Sequence, residues 1–190
     1  QDGRACLSGP AGDLEEQGSL LVYEKEKQRM KSLFGFKPDK FVTDLHPLYH
    51  SVKLTEAEKP QVKLGVQHHK AHVASVIAEH MLNGEVFGVA FDGTGFGEDG
   101  CIWGSEFFLC REASFERVGH LSYVKLSGGD EGARNAANSM YGYLADAGYL
   151  EAKSKAVESD KLELTMKANE LNINRVTSSS MGRLFAAVSA

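Results

Sequence analysis

Val66–Glu106 reads VQHHKAHVASVIAEHMLNGEVFGVAFDGTGFGEDGCIWGSE, and the fold follows from how this stretch is divided. Its first part has helical spacing and carries His68, His69 and His72, a helix expected over about His69–Leu82 and ended by Asn83-Gly84. Val86–Phe91 is then a buried strand that delivers Asp92 into a glycine-rich turn holding Gly93, Gly95, Gly97 and Gly100. A second strand leaves through Cys101, Ile102 and Trp103 and continues as an apolar run to Cys110. A third is expected over Glu116–Lys125. These strands lie too close in sequence for crossover helices, so they must pair antiparallel.

Outward from this centre, helices and strands alternate. Toward the N-terminus a strand over Val62–Val66 is preceded by a short helix through Ser51–Glu58 and a strand over Lys40–Leu45. Before them comes a helix from Leu20 whose apolar face is Leu20, Tyr23, Met30, Leu33 and Phe34, with Gly35 as its C-terminal cap. The charge run Glu24–Arg29 reads as the wet side of that helix. Residues 1–19 read as a short strand and a Gly/Pro-rich loop. Toward the C-terminus, a break at Gly128, Gly129 and Asp130 is followed by a helix from about Gly132 to Ala147, and another over Ser159–Leu171. Thr177–Ser180 can cap a last helix. Glu151–Asp160 is the candidate linker. The pattern is α/β with a mixed sheet flanked by helices.

The chain has 190 residues, 42% hydrophobic and 25% charged, as in a soluble globular protein long enough to bury a core in one domain or two small lobes. A net charge of −5 argues against a nucleic-acid-coating surface. No apolar run approaches the ~18 residues of a membrane span, so no membrane partner is expected. Three cysteines without a CxxC pair suit a reducing, cytoplasmic setting. Cys101 and Cys110, in a strand, read as inert buried thiols. Both ends look cut, and the chain reads as one partial domain truncated at each end.

The chemistry concentrates in the quoted stretch. His68 and His72 at i and i+4 share one helix face, roughly 6 Å apart at Cβ, and can chelate one ion. Histidines at this spacing also occur as structural residues. His69 points about 100° away and is second to the site or exposed; His80 reads as structural. Asp92 at the end of an apolar strand needs a partner. Completing a His/His/Asp set, it would suit zinc or iron with a position left open. The alternative is that Asp92 caps a hairpin. The glycines let backbone N–H groups approach an anion, but no Walker A lysine follows. Asp44 and His46 stand at a strand's C-terminal end, as ligand contacts or as a turn with local hydrogen bonds. Asp130 with Arg134, and Arg183, read either as anion clamps or as ion pairs.

Seven motifs then match one family in order: GDLE at Gly12–Glu15, DLHP at Asp44–Pro47, VQHHKAH at Val66–His72, FDGTGFGEDG at Phe91–Gly100, WGSE at Trp103–Glu106, SGGD at Ser127–Asp130 and SSMGRLF at Ser179–Phe185. The chain resembles the C-terminal domain of the hydrogenase-maturation carbamoyltransferases, HypF. The resemblance implies a ribonuclease H-like lobe of the actin, sugar-kinase and heat-shock-ATPase kind, similar to the tRNA threonylcarbamoyladenosine transferase. It implies that carbamoyl passes from an ATP-derived carbamoyl-adenylate to the C-terminal cysteine of a HypE-type acceptor, for the cyanide ligand of NiFe hydrogenase. It further implies that His68, His72 and Asp92 bind the metal and act in catalysis, and that Gly93, Thr94, Gly95, Gly97, Asp130 and Arg134 lie against the nucleotide. Three departures stand out. Many relatives carry HHHAH where this chain has Lys70, WGGE where it has Ser105, and Asp after RLF where it has Ala186. The remaining lobe and further domains of the family fall outside the motifs, so the isolated chain is expected to lack complete transfer activity. The competing readings are an O-carbamoyltransferase, a tRNA-modifying relative, and a non-catalytic fragment that docks a partner.

Overall fold

A computed structural model describes residues 5–35, 37–127, 129, 135–149, 164, 166–168 and 171–190. The expectations for residues 1–4, Gly128, Asp130, Arg134, the Glu151–Asp160 linker and most of the Ser159–Leu171 helix therefore fall outside the described residues. The chain divides into two compact units, Gln1–Val66 and Gln67–Ala190.

The first unit is a helix followed by a parallel β-α-β turn. Helix α1, Gln17–Phe34, ends on Gly35 in the left-handed conformation, φ 60°. A Cβ is disfavoured there, which is why glycine ends the helix. Strand β1, Lys40–Asp44, and strand β2, Val62–Val66, pair in parallel from Lys40↔Val62 to Asp44↔Val66, joined by helix α2, His50–Ala57. Lys27 bridges Glu24 and Glu58 at 2.6 and 2.7 Å, so the charge run is partly paired rather than wholly solvated. The expected apolar stripe is only partly covered, and Leu33 remains 65% exposed. At DLHP local contacts are present: Asp44 Oδ1 accepts the His46 N–H at 2.8 Å and His46 stacks on Tyr49.

The second unit opens with helix α3, His68–Glu79, and a hairpin of β3, Glu85–Phe96, with β4, Ile102–Arg111. Strand β5, Ser114–His120, continues antiparallel beside β4. Strand β6, Val124–Ser127, pairs with β7, Arg175–Ser178, which runs parallel to the start of β4 at Ile102↔Ser178. The sheet is mixed, as expected. Among the described residues the unit also holds helices α4, Ala136–Asp146, and α5, Met181–Ser189. The core is Val73, Ala90, Trp103, Phe108 and Cys110. Helix α3 sits close on β3 because Gly88 presents only hydrogen; a Cβ there would lie 2.5 Å from Val73 Cγ1.

Four local expectations change. Strand β3 is not buried on both faces: Phe87, Val89 and Phe91 are exposed while Gly88 and Ala90 face the core, the alternation of a sheet covered on one side. Asp92 does not end the strand. Pairing shifts register between Phe91 and Gly95 and resumes to Phe96, so Asp92 lies in a bulge and the tight turn is Gly97–Cys101. The strand expected over Glu116–Lys125 is two strands, β5 and β6, broken at residues 121–123. Residues 175–178 form a strand, leaving only Ser180 as the cap of α5.

Candidate metal centre

Gln67 caps α3, its side chain accepting the Lys70 N–H at 3.0 Å, and this starts the helix one residue before His69. His68 and His72 therefore occupy the first and second turns of one face. Their Nε2 atoms are 3.1 Å apart. Asp92 Oδ2 lies 3.0 Å from His68 Nε2 and 3.6 Å from His72 Nε2. Ligands bonded to one tetrahedral zinc at about 2.0–2.1 Å stand roughly 3.3 Å from one another, so the three donors already have the spacing of one face of such a shell. The donor set of two imidazoles and a carboxylate suits zinc or iron. The three side chains are the ones a metal would use among the described residues, and they are half-buried or exposed, which leaves an approach.

The backbone of Asp92 is fixed from below. Ser180 Oγ shares its hydrogen between Asp92 O, at 3.0 Å, and Gly93 O, at 2.8 Å, and accepts the Arg183 N–H as the cap of α5. Asp92 Oδ1 accepts the Gly93 N–H at 2.6 Å. Arg183 is thus placed at the start of α5 by its backbone.

His69, expected beside the site or exposed, is 0% exposed. It packs against Gly95, where a Cβ would come within 2.4 Å of its Cε1. Burial, and then the neighbouring His68, hold its pKa down at about 4 from 6.5, against the pull of Asp92. The sign of the consequence is fixed. Above pH 6.5 folded and unfolded chains both carry a neutral ring; below it the unfolded chain takes up a proton that the folded chain refuses until about pH 4. Metal-free protein should lose at most about 3 kcal/mol from this group across that window. Urea unfolding of wild type and His69→Gln at pH 7 and 4.5 checks it: the variant should show the shallower acid loss, and equal slopes would refute the assignment.

The remaining expected residues fall as follows. Thr94 is exposed and Gly93 half-buried beside Asp92, on the strand. Gly95 and Gly97 have ordinary φ; they serve close approach rather than a turn, under His69 and under Trp103, whose Nε1 a Gly97 Cβ would meet at 2.2 Å. Asp130 and Arg134 lie outside the described residues. Lys70 turns to Glu98 at 2.6 Å. His80 ends α3, exposed. Burial raises the thiol pKa of both Cys101 and Cys110, in keeping with inert cysteines.

Sequence reasoning missed a buried polar layer beside the centre. Glu106, 0% exposed, accepts from Gly104 N, Ser105 N, Ser179 Oγ and Arg117 Nε. Burial would raise its pKa, but these hydrogen bonds outweigh it and hold the carboxyl below its usual value. The Arg117 guanidinium lies 3.8 Å over the Trp103 ring and also reaches Tyr123, which donates to Asp99. Burial first, and then Asp99, push the Tyr123 hydroxyl up to about 12. The available signal was Glu106 itself, a charge inside the apolar run IWGSEFFLC, which cannot be buried unpaired.

Residues 1–79 match the family model described as the HypF Kae1-like domain, and residues 88–190 match that of the carbamoyltransferase, Kae1-like domain, second subdomain. A carbamoyltransferase HypF of Rhizobium leguminosarum bv. viciae is 34% identical over 188 residues, covering 98% of this chain and 24% of that protein. A HypF homolog of Cupriavidus necator is 36% identical over 184 residues, 93% of this chain and 46% of that protein. The crystal structure of full-length HypF in a phosphate- and nucleotide-bound form superposes with a TM-score of 0.87 at 36% identity, covering 94% of this chain and 24% of that one. The T.kodakarensis HypF structure gives 0.82 at 32% identity. The chain thus spans between about a quarter and a half of the length of these relatives, and its mixed α/β architecture is the one expected from the sequence. It belongs to the HypF carbamoyltransferase family, both of its matched models being of the Kae1-like domain.

Proposed function

We propose that this chain forms the metal-binding part of a carbamoyltransferase that moves a carbamoyl group from carbamoyl-adenylate to the C-terminal cysteine of a HypE-type acceptor, toward the cyanide ligand of NiFe hydrogenase. The observation that carries the reading is the convergence of His68 Nε2, His72 Nε2 and Asp92 Oδ2 within 3.0–3.6 Å, in a chain of this family. In this reading those three residues hold zinc or iron. When bound, the ion supplies a Lewis acid that polarises phosphate or carbamoyl oxygens.

The chain's own residues do the positioning. Ser180 pins the Asp92 and Gly93 carbonyls, so the carboxylate keeps its place as ligand. Gly93 and Thr94, next along the strand, take the phosphate side of the adenylate, with Asp130 and Arg134 as further nucleotide contacts. Gly95 and Gly97 act indirectly, by letting His69 and Trp103 pack against the strand. A solved relative in phosphate- and nucleotide-bound form supports the nucleotide part of the proposal.

Elemental mass spectrometry for zinc and iron, on this chain and on His72→Ala, tests it. Near-stoichiometric metal is expected in wild type. The variant should bind it more than about 100-fold more weakly, beyond the roughly 10–100-fold that outer partners of a ligand command. No metal in wild type, or equal metal in both proteins, would overturn the proposal.

A further inference from the structure

His69 Nε2 is buried, has no hydrogen-bond partner among the described residues, and stands 3.8 Å from Asp92 Oδ2. Leaving such a group unpaired is costly, so its direction is informative. On the other edge of the ring, Nδ1 is 3.1 Å from Gln67 Nε2. The orientation of that amide is settled by its other contacts. Gln67 Oε1 accepts the Lys70 N–H, so Gln67 Nε2 is the donor, and it donates to Phe96 O at 3.1 Å as well as to His69 Nδ1. A ring nitrogen that accepts carries no hydrogen, and the neutral imidazole must keep its proton on Nε2. That N–H stands 3.8 Å from Asp92 Oδ2, a small shift short of a hydrogen bond.

Asp92 Oδ2 also contacts His68 Nε2 at 3.0 Å. A nitrogen whose lone pair is given to a metal cannot donate a hydrogen from the same atom. With His68 and His72 as ligands, the N–H within reach of Asp92 from this helix is that of His69. The ring packs against Gly95, and its Nδ1 edge is held by Gln67.

We propose that Gln67 is a tautomer lock: it holds His69 in the Nε2–H form, so that His69 donates to Asp92 and positions that carboxylate for the metal. Both are positioning residues, and the inference rests on the metal-centre reading above. It differs from simple helix capping, which uses Gln67 Oε1 and makes no demand on its Nε2.

Gln67→Glu separates the two roles. It keeps an oxygen for Lys70 N but puts an acceptor against His69 Nδ1, which should draw the ring proton to Nδ1 and turn a lone pair toward Asp92. Long-range proton–nitrogen NMR on the ring reads the tautomer at pH 7, and chelator competition reads zinc affinity in the same samples. The expected result is Nε2–H in wild type, Nδ1–H in Gln67→Glu, and zinc bound about 10–100-fold more weakly by the variant. His69→Gln, whose amide N–H₂ can stand near the Nε2 position, should stay close to wild type, while His69→Phe should fall as far as Gln67→Glu. If Gln67→Glu does not fold, the two His69 variants decide alone. An Nδ1–H ring in wild type, or wild-type zinc affinity in both Gln67→Glu and His69→Phe, overturns the lock and leaves the metal centre standing. A wild-type chain that binds no zinc overturns both.

Discussion

Glu106→Gln should cost this chain about 3–5 kcal/mol of stability, the range for removing one partner of a buried ion pair. The side chain is fully buried, and one oxygen serves Gly104 N, Ser105 N and Ser179 Oγ while the other faces Arg117 Nε at 2.5 Å. Glutamine can keep the first three bonds with its carbonyl. Its amide N–H₂ then meets the Arg117 Nε–H, donor against donor, and the guanidinium is left with Asp99 at 3.5 Å as its nearest carboxylate. At roughly 2–4 °C per kcal/mol for a chain of this size, the melting temperature should fall by about 10 °C. The pH dependence identifies the cause. The folded-state pKa of Glu106 is depressed, so its contribution is complete above pH 4.5 and is lost as pH falls through the lower folded value. The gap between wild type and variant should therefore be full at pH 7 and shrink in acid. A loss under ~1 kcal/mol at pH 7, or a gap that widens in acid, would refute the argument.

The consequence reaches the candidate metal centre. Glu106 grips Ser179, and the next residue, Ser180, holds the carbonyls of Asp92 and Gly93. The charge buried in β4 thus anchors the segment that fixes a candidate ligand, which ties the WGSE and SSMGRLF motifs to one physical task.

This connection marks the boundary of what the sequence can say. His68, His72 and Asp92 were legible because the helix period puts i and i+4 together and because a carboxylate after an apolar run needs a partner. The strands from Lys40 to Cys110, the helix cap at Gly35 and the mixed sheet follow from equally local rules. The bulge at Asp92 was not legible. Glycines in FDGTGFGEDG suggest a turn, yet Gly95 and Gly97 exist to let His69 and Trp103 approach, and those contacts are set by packing. Strand β7 was missed because four residues, Arg175–Ser178, carry too little periodicity; pairing with β4 and β6 defines them. Ser180 could be read as a cap, but its grip on Asp92 spans 88 residues of sequence.

Gly104→Ala should be strongly damaging for a single added methyl, costing about 3 kcal/mol or more, the top of the overpacking range. The backbone at Gly104 is not in the left-handed region, so alanine meets no conformational objection. The objection is space. Its Cβ would stand 2.5 Å from Asp92 O, 2.8 Å from Ser180 Cα and 3.0 Å from Ser180 Cβ. Two of these are backbone atoms of separate segments, and neither can swing aside as a side-chain tip could. Relief requires β4 to part from Ser180 or from β3, and either movement breaks the bonds that hold Asp92. Metal affinity should therefore fall together with stability, although no ligand has been touched. Gly18→Ala makes the matched comparison. It adds the same methyl in the first turn of α1, where nothing lies within 4 Å, and should be neutral or stabilising by up to ~1 kcal/mol. Denaturant unfolding and zinc competition on the two variants decide the matter. If Gly104→Ala behaves like Gly18→Ala, then β4 and the Ser180 segment are not in close contact, and the account of how Asp92 is held fails with them.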